Sequence, residues 1–204
     1  EALVPAGGDV GAAAAQIGFP VVLKISSPDI AHKTEVGGVI VNVKTADEAR
    51  TAAATILERA TDKAPGARIE GIAVAPMVQG GVECIVGTAL DPVLGPVVMF
   101  GLGGIFVEVL KDVTFRAAPF GVAEAHRMIR EIKGHALLQG ARGAEPADVD
   151  ALARFLSDLS RFAAAHADQV DSIDLNPVRV MPVGQGVVPL DALIVLREGA
   201  DHDA

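Results

Sequence analysis

The spacing of apolar residues changes several times along this chain, and each change predicts an element. Pro20 leads into Val21-Val22-Leu23-Lys24-Ile25, a β-branched run that reads as a buried strand, and Val39 to Val43 reads as a second. The residues between them, Ser26 to Gly38, are polar, hold Pro28 and a Gly37-Gly38 pair, and predict a loop. Before the first strand, an alanine-rich segment from Asp9 to Ile17 predicts a short helix that stops at Gly18. Thr45 opens the clearest helix. Thr45-x-x-Glu48 is a capping box, and Ala49, Ala52, Ala53, Ile56, Leu57 and Ala60 recur at three-four spacing until Pro65-Gly66.

Strand patterns return over Gly71 to Met77 and Val82 to Leu90, then, past an Asp91-Pro92 turn, over Val97 to Phe100. Gly101 to Gly104 reads as a loop, followed by strand-like stretches near Ile105 to Val109 and Phe115 to Ala118. Helices are predicted over Val122 to Ile132 and Ala147 to His166, the second striped by Val149, Leu152, Leu156, Leu159 and Phe162. Ser172 to Leu175, Val178 to Met181 and, past a Gly184-Gln185-Gly186 turn, Val187 to Leu196 complete the pattern as strands. Hairpins mixed with isolated helices argue for an α+β fold with mostly antiparallel sheet, not a regular βαβ wind. No internal repeat or low-complexity linker breaks the pattern, and the residues after Arg197 read as a frayed tail.

Composition then removes several functions. A chain of 204 residues, 50% of them hydrophobic, can bury a core as one domain or as two small subdomains sharing a cleft. Mean hydropathy is +0.41, yet no run of eighteen uncharged apolar residues exists. The nearest, Gly95 to Leu110, contains Glu108 and five glycines or prolines, so no membrane span is predicted and the chain reads as soluble. A net charge of −9 argues against nucleic acid, whose binding needs a basic face. Cys84, the single cysteine, cannot form an intramolecular disulfide, and nothing reads as a signal peptide, so a cytoplasmic setting is expected. With no tryptophan or tyrosine the chain also lacks the stacking platforms of single-strand binders.

A few polar residues stand out against this background. Lys24 interrupts an apolar strand; it is either an edge residue whose stem snorkels to water or a cation at a cleft wall that neutralises phosphate oxygens. His32 lies in the loop that follows, beside Lys33 and near Gly37 and Gly38, which allow close backbone approach. A neutral imidazole can take and pass on a phosphoryl group; a loop histidine can equally be only solvated. Gly101-Leu102-Gly103-Gly104 fails as a dinucleotide fingerprint, because the third glycine would fall at Phe106 and no helix follows. Asp174 and Asn176 share a face in strand alternation, and a returning strand would bring Asp191 beside Asn176. An amide oxygen and a carboxylate are hard ligands of the kind Mg²⁺ takes when a nucleotide supplies the rest; ordinary Asn-Pro turn chemistry is the alternative. Glu83, inside an apolar strand, asks for a partner or marks a partly exposed face.

Taken in order, these segments resemble a known family. Gly18-Phe19-Pro20-Val21-Val22-Leu23-Lys24, Pro28 to Val39 with His32, Gly81 to Gly87 with Glu83, Asp91-Pro92, Gly95-Pro96, Met99 to Asp112, and Asp174-Leu175-Asn176-Pro177 with Asp191 together resemble the ATP-grasp domain of ADP-forming (NDP-forming) acyl-CoA synthetases, relatives of the succinyl-CoA synthetase β subunit. The resemblance runs from about Gly18 to Leu196. It implies an ATP-grasp fold of two small α+β subdomains clasping a nucleotide: residues 1–78, with a short lead-in, residues 79–197, and a disordered tail, 198–204. Lys24, Gly37, Gly38, Ala75, Met77 and Glu83 are the nucleotide-binding positions it implies, the Ala73 to Val78 hinge through its backbone. His32 matches a phosphoryl-shuttling histidine and Asp174 an acid that steadies phosphohistidine; Asn176 and Asp191 match the Mg²⁺ ligands.

The implied cofactors are Mg²⁺ and ATP or ADP, and the implied reaction is acid + CoA + ATP ⇌ acyl-CoA + ADP + Pi. The implied partner is a CoA-binding α-type subunit or fused domain that carries the first phosphorylated histidine, because no CoA-binding Rossmann pattern is present here. Ala75 departs from relatives that often carry an acid or amide at the hinge, which leaves backbone contacts to the base. Two other readings stand beside this one. A similar domain in synthetase-like protein lysine acetyltransferases is regulatory and senses nucleotide without turnover, and an assembly module would bind no nucleotide at all.

Overall fold

The computed structural model describes residues 1–104 and 111–197. The chain divides after Gln79 into two compact units, and each builds a core against one antiparallel sheet.

In the first unit the strands β1 (Ala2–Pro5), β2 (Val21–Ser26), β3 (Val39–Val43) and β4 (Gly71–Pro76) lie in the order β1-β4-β2-β3. Helix α1 (Val10–Ile17) starts where Asp9 accepts from the Ala12 amide at 3.1 Å and stops at Gly18. Helix α2 (Ala46–Lys63) is capped by the Thr45 hydroxyl, which accepts from the Glu48 amide at 3.1 Å. The Glu48 carboxylate reaches back to the Lys44 amide at 2.7 Å, one residue before the cap. Strand alternation does the rest. Val21, Leu23, Ile25, Ile72 and Val74 turn inward and are buried with Ala14, Ala49, Ile56 and Ala60 of the helices. The opposite face carries Val22, Lys24, Ser26, Ala73 and Ala75. Strand β2 is flanked on both sides, so the edge-strand account of Lys24 does not hold. Strand β1 has no counterpart among the elements read from the sequence, because four residues are too few for a period.

In the second unit β5 (Val82–Asp91), β6 (Gly95–Leu102), β7 (Val113–Ala117), β8 (Val170–Val180) and β10 (Leu193–Leu196) take the order β10-β8-β5-β6-β7, with β9 (Val187–Pro189) also paired to β8. Helices α3 (Val122–Glu131) and α4 (Val149–Ala165) cover one face, over Cys84, Val86, Val98, Phe100, Leu175 and Val178. Four expectations change. Asn176-Pro177 does not break a strand: β8 runs through it, because two residues bulge opposite Ile85 and pairing resumes at Cys84↔Val178. The segment 187–196 is two strands, not one, and Asp191 lies between them. Gly101 and Leu102 belong to β6 and not to a loop. Phe162, read as part of the α4 stripe, is 41% exposed and stacks on His166 instead, with ring centroids 4.2 Å apart. The strand-like stretch near Ile105 to Val109 and the tail 198–204 fall outside the described residues.

Asp148 shows how a single side chain fixes this unit. One carboxylate oxygen caps α4 by accepting from the Ala151 amide at 3.0 Å; the other accepts from the Gly184 and Gly186 amides at 2.9 and 3.2 Å. These amides, led by Ala151, hold the carboxyl below its ordinary 3.8. A lowered folded-state pKa contributes stability that is present above the unfolded value and is lost as pH falls through the folded one. Asp148→Ala is therefore expected to cost about 3 kcal/mol at pH 7 and much less near pH 2. Urea unfolding followed by far-UV circular dichroism at both pH values measures it; an equal loss at both would rule out the carboxylate as the cause.

Candidate functional site

Each unit offers one sheet face that its helices do not cover. Lys24 and Ala75 lie on that of the first, Glu83, Asp174 and Asn176 on that of the second, while His32, Gly37, Gly38, Met77 and Asp191 lie in connecting segments. In the first unit Lys24 pairs with Ala73 on one side and Val39 on the other, while Ala75 pairs with Val22, so Lys24 and Ala75 share this face. Lys24 is half-buried on this face, in a strand flanked on both sides. Met77 follows β4 and donates its amide to the Pro20 carbonyl at 3.0 Å.

The loop between β2 and β3 is ordered by its own main chain. The His32 carbonyl accepts from the Glu35 amide, the Thr34 carbonyl from Gly37 at 3.0 Å, and the Lys33 carbonyl from Gly38 at 2.8 Å. Lys63 Nζ of α2 donates to the Glu35 carbonyl at 3.1 Å. Gly37 sits at φ +68°, and a Cβ on Gly38 would lie 2.6 Å from Ile25 Cγ2 and 2.9 Å from the Lys33 carbonyl. Both glycines thus have duties in shaping the loop. His32 itself is exposed.

In the second unit the uncovered face runs along β5 through Glu83, Ile85, Gly87 and Ala89, and along β8 through Ser172, Asp174 and Asn176. The bulge resets the alternation, so Arg179 returns to this face while Leu175 and Val178 both stay inward. Asp174 is flanked by Gly87 and Leu193. The Leu190 amide donates to the Pro177 carbonyl at 2.9 Å, and Leu193 pairs with Asp174, so the chain at Asp191 passes alongside Leu175 and Asn176. Asp174 and Asn176 border a cleft of about 640 Å³ lined by Ile85, Gly87, Met99 and Phe115. Asn176 borders this cleft and the chain at Asp191 runs alongside that residue; an amide oxygen and a carboxylate are hard ligands that suit a Mg²⁺ ion whose remaining ligands are phosphate and water. No group of three His, Cys, Asp or Glu able to hold a metal occurs among the described residues, which is compatible with so sparse a protein ligand set. Cys84 is no nucleophile: burial in the core pushes its thiol up to about 12.

Glu83 has the partner its position asked for. Arg179, directly across in the β5–β8 register, donates from Nη2 to Glu83 Oε2 at 3.1 Å. The sequence carries no sign of this pair, since Arg179 lies 96 residues away and only the register joins them. Lys24, Asp174 and Asp191 also interact with other groups of the chain. No helix among the described residues is long and apolar enough to cross a membrane.

Comparison with known proteins shows the family. The ATP-grasp domain family model matches residues 3–196. The ADP-forming acetate–CoA ligase I of Archaeoglobus fulgidus is 49% identical over 185 residues, which is 91% of this chain and 26% of that protein. The β subunit of the ADP-forming acetate–CoA ligase II of Pyrococcus furiosus is 45% identical over 184 residues, 90% of this chain and 78% of the subunit. The chain thus spans about a quarter of the first relative and most of the second. A structure of acetyl-coenzyme A synthetase 1 from Ca. Korarchaeum cryptofilum superposes with a TM-score of 0.77 at 41% identity, covering 93% of this chain and 82% of that one. That structure holds coenzyme A and Mg-AMPPCP, with a phosphohistidine segment pointing towards its nucleotide binding site. The chain belongs to the ATP-grasp family, as the ATP-grasp portion of the ADP-forming acyl-CoA synthetase type.

Proposed function

We propose that this chain is the nucleotide-handling part of an ADP-forming acyl-CoA synthetase, whose whole reaction is acid + CoA + ATP ⇌ acyl-CoA + ADP + Pi. The observation that carries the reading is the uncovered face of the second sheet, with Asp174 and Asn176 on one side of β8 and Asp191 alongside. Asn176 and Asp191 would hold Mg²⁺, which when bound neutralises phosphate charge. Lys24 offsets the remaining charge on the transferring phosphoryl group. Main-chain groups from Ala75 to Met77 meet the base; since the Met77 amide is spent on Pro20, its carbonyl oxygen is the group left for that contact.

In the direction that consumes ATP, a neutral ring nitrogen of His32 attacks the γ-phosphorus, the bond from that phosphorus to the β,γ-bridging oxygen breaks, and ADP leaves. Asp174 steadies the charge of the phosphohistidine that arrives or departs. The phosphoryl group then passes to a histidine on a CoA-binding partner, either an α-type subunit or a fused domain, where acyl phosphate and CoA chemistry completes the cycle. The long relative, of which this chain matches 26%, and the β-subunit relative, of which it matches 78%, support both arrangements.

Saturating MgADP is expected to raise the melting temperature by about 5–10 °C, the shift for a ligand at a hundred times its Kd. Asp191→Ala is expected to remove most of that shift. Differential scanning fluorimetry reads both; an unshifted parent chain, or a shift untouched by the substitution, would sink the proposal.

A further inference from the structure

Arg179 has no place in the reaction as outlined, yet its contacts are specific. Its Nη1 donates to the Gly80 carbonyl at 3.3 Å and its Nη2 to Glu83 Oε2 at 3.1 Å. Its third donor, Nε, is buried and makes no hydrogen bond, which costs stability and asks for an explanation. The pair it forms is partly open to solvent, 29% for Arg179 and 38% for Glu83, where ion pairs contribute little. Folding stability alone therefore does not account for the arrangement.

Its effect on Glu83 does. The Gly103 amide donates to the Glu83 carbonyl at 2.8 Å, bringing the Gly103 backbone against the same residue. A Cβ on Gly103 would lie 2.7 Å from Glu83 Cγ and 3.1 Å from Oε1. The Glu83 side chain is thus held between Arg179 on one side and a glycine backbone on the other, with Oε2 engaged by the guanidinium. A carboxylate held in this way meets a ligand without first losing rotamer freedom.

We infer that Arg179 is a positioning residue for nucleotide binding, acting through Glu83. The inference rests on the reading of Glu83 as a nucleotide-contacting acid. Methionine matches the length of the arginine stem and removes the stranded donor, so Arg179→Met should leave the melting temperature of the nucleotide-free chain unchanged or raised. The same substitution should weaken MgADP by about tenfold.

Isothermal calorimetry of the full chain with MgADP tests this through a cycle of Arg179→Met, Glu83→Gln and the pair combined. The double variant is expected to bind no more weakly than the weaker single one, because both changes break one path. Arg179→Lys, which keeps the charge but loses the fork, should recover part of the affinity. Parent-like affinity in Arg179→Met overturns the inference, as do losses that multiply in the double variant. A nucleotide-free melting temperature lowered by more than about 10 °C would overturn it too, by showing a structural role. If the parent chain binds no MgADP, the underlying nucleotide reading fails and takes this inference with it.

Discussion

His32→Ala is expected to abolish acid-labile phosphoryl labelling of this chain by MgATP. With the CoA-binding part supplied, it should lower the synthetase rate by more than about 1,000-fold, as loss of a covalent nucleophile does. Folding and nucleotide binding should be untouched. The turn at His32 is made by main-chain bonds, from Glu35 to the His32 carbonyl and from Gly38 to that of Lys33, and none of them uses the imidazole. The exposed ring has no packing to lose. Intact mass before and after acid treatment measures the label, and the MgADP melting shift run beside it reports binding. Label that persists in His32→Ala would remove this histidine from the mechanism. Bound nucleotide without label in either protein, with the CoA-binding part present, would instead describe a domain that senses nucleotide.

Phe100→Ala is expected to destabilise the second unit by about 4 kcal/mol, the loss for deleting a buried aromatic ring from a packed core. Phe100 is fully buried, heads the described fully buried side chains by volume, and sits in β6 opposite Val86 of β5 and Thr114 of β7. Its surroundings are other committed core groups, Met128, Leu152 and Leu156 of the helices among them, which leaves little freedom to close the void. Denaturant unfolding gives the magnitude, and amide exchange in β5, β6 and β8 gives the location. A loss below about 1.5 kcal/mol would mean that the core collapses around the cavity.

Much of this molecule could be read before any coordinates, and the reasons are local. Asp9 and Thr45 accept from amides three residues on, and the Gly18 amide donates to the Ala14 carbonyl four residues back, so the bounds of α1 and the start of α2 follow from sequence. Val21 to Ile25 is a β-branched apolar run, and β2 spans nearly those residues. What escaped depended on pairing. Leu175 and Val178 are three apart, a spacing that breaks strand alternation, and only the partner strand shows that it marks a bulge. Lys24 looked the same whether its strand lay inside or at the edge of a sheet. Arg179 carried no motif, and its meaning comes from facing Glu83. Alternation along the chain puts Asp174 and Asn176 on one face, whereas the place of Asp191 follows from how β9 and β10 frame β8.

The bulge at Asn176 and Pro177 has an evolutionary consequence. Leu175 and Val178 on either side are answerable to the core, whereas the two residues between them face one residue of β5 and are released from ladder duty. Along a single strand, selection on foldability and selection on chemistry therefore fall on different positions. A lineage can change the side chain at Asn176 without renegotiating the packing beneath it, and can repack Leu175 or Val178 while Asn176 keeps its place on the uncovered face.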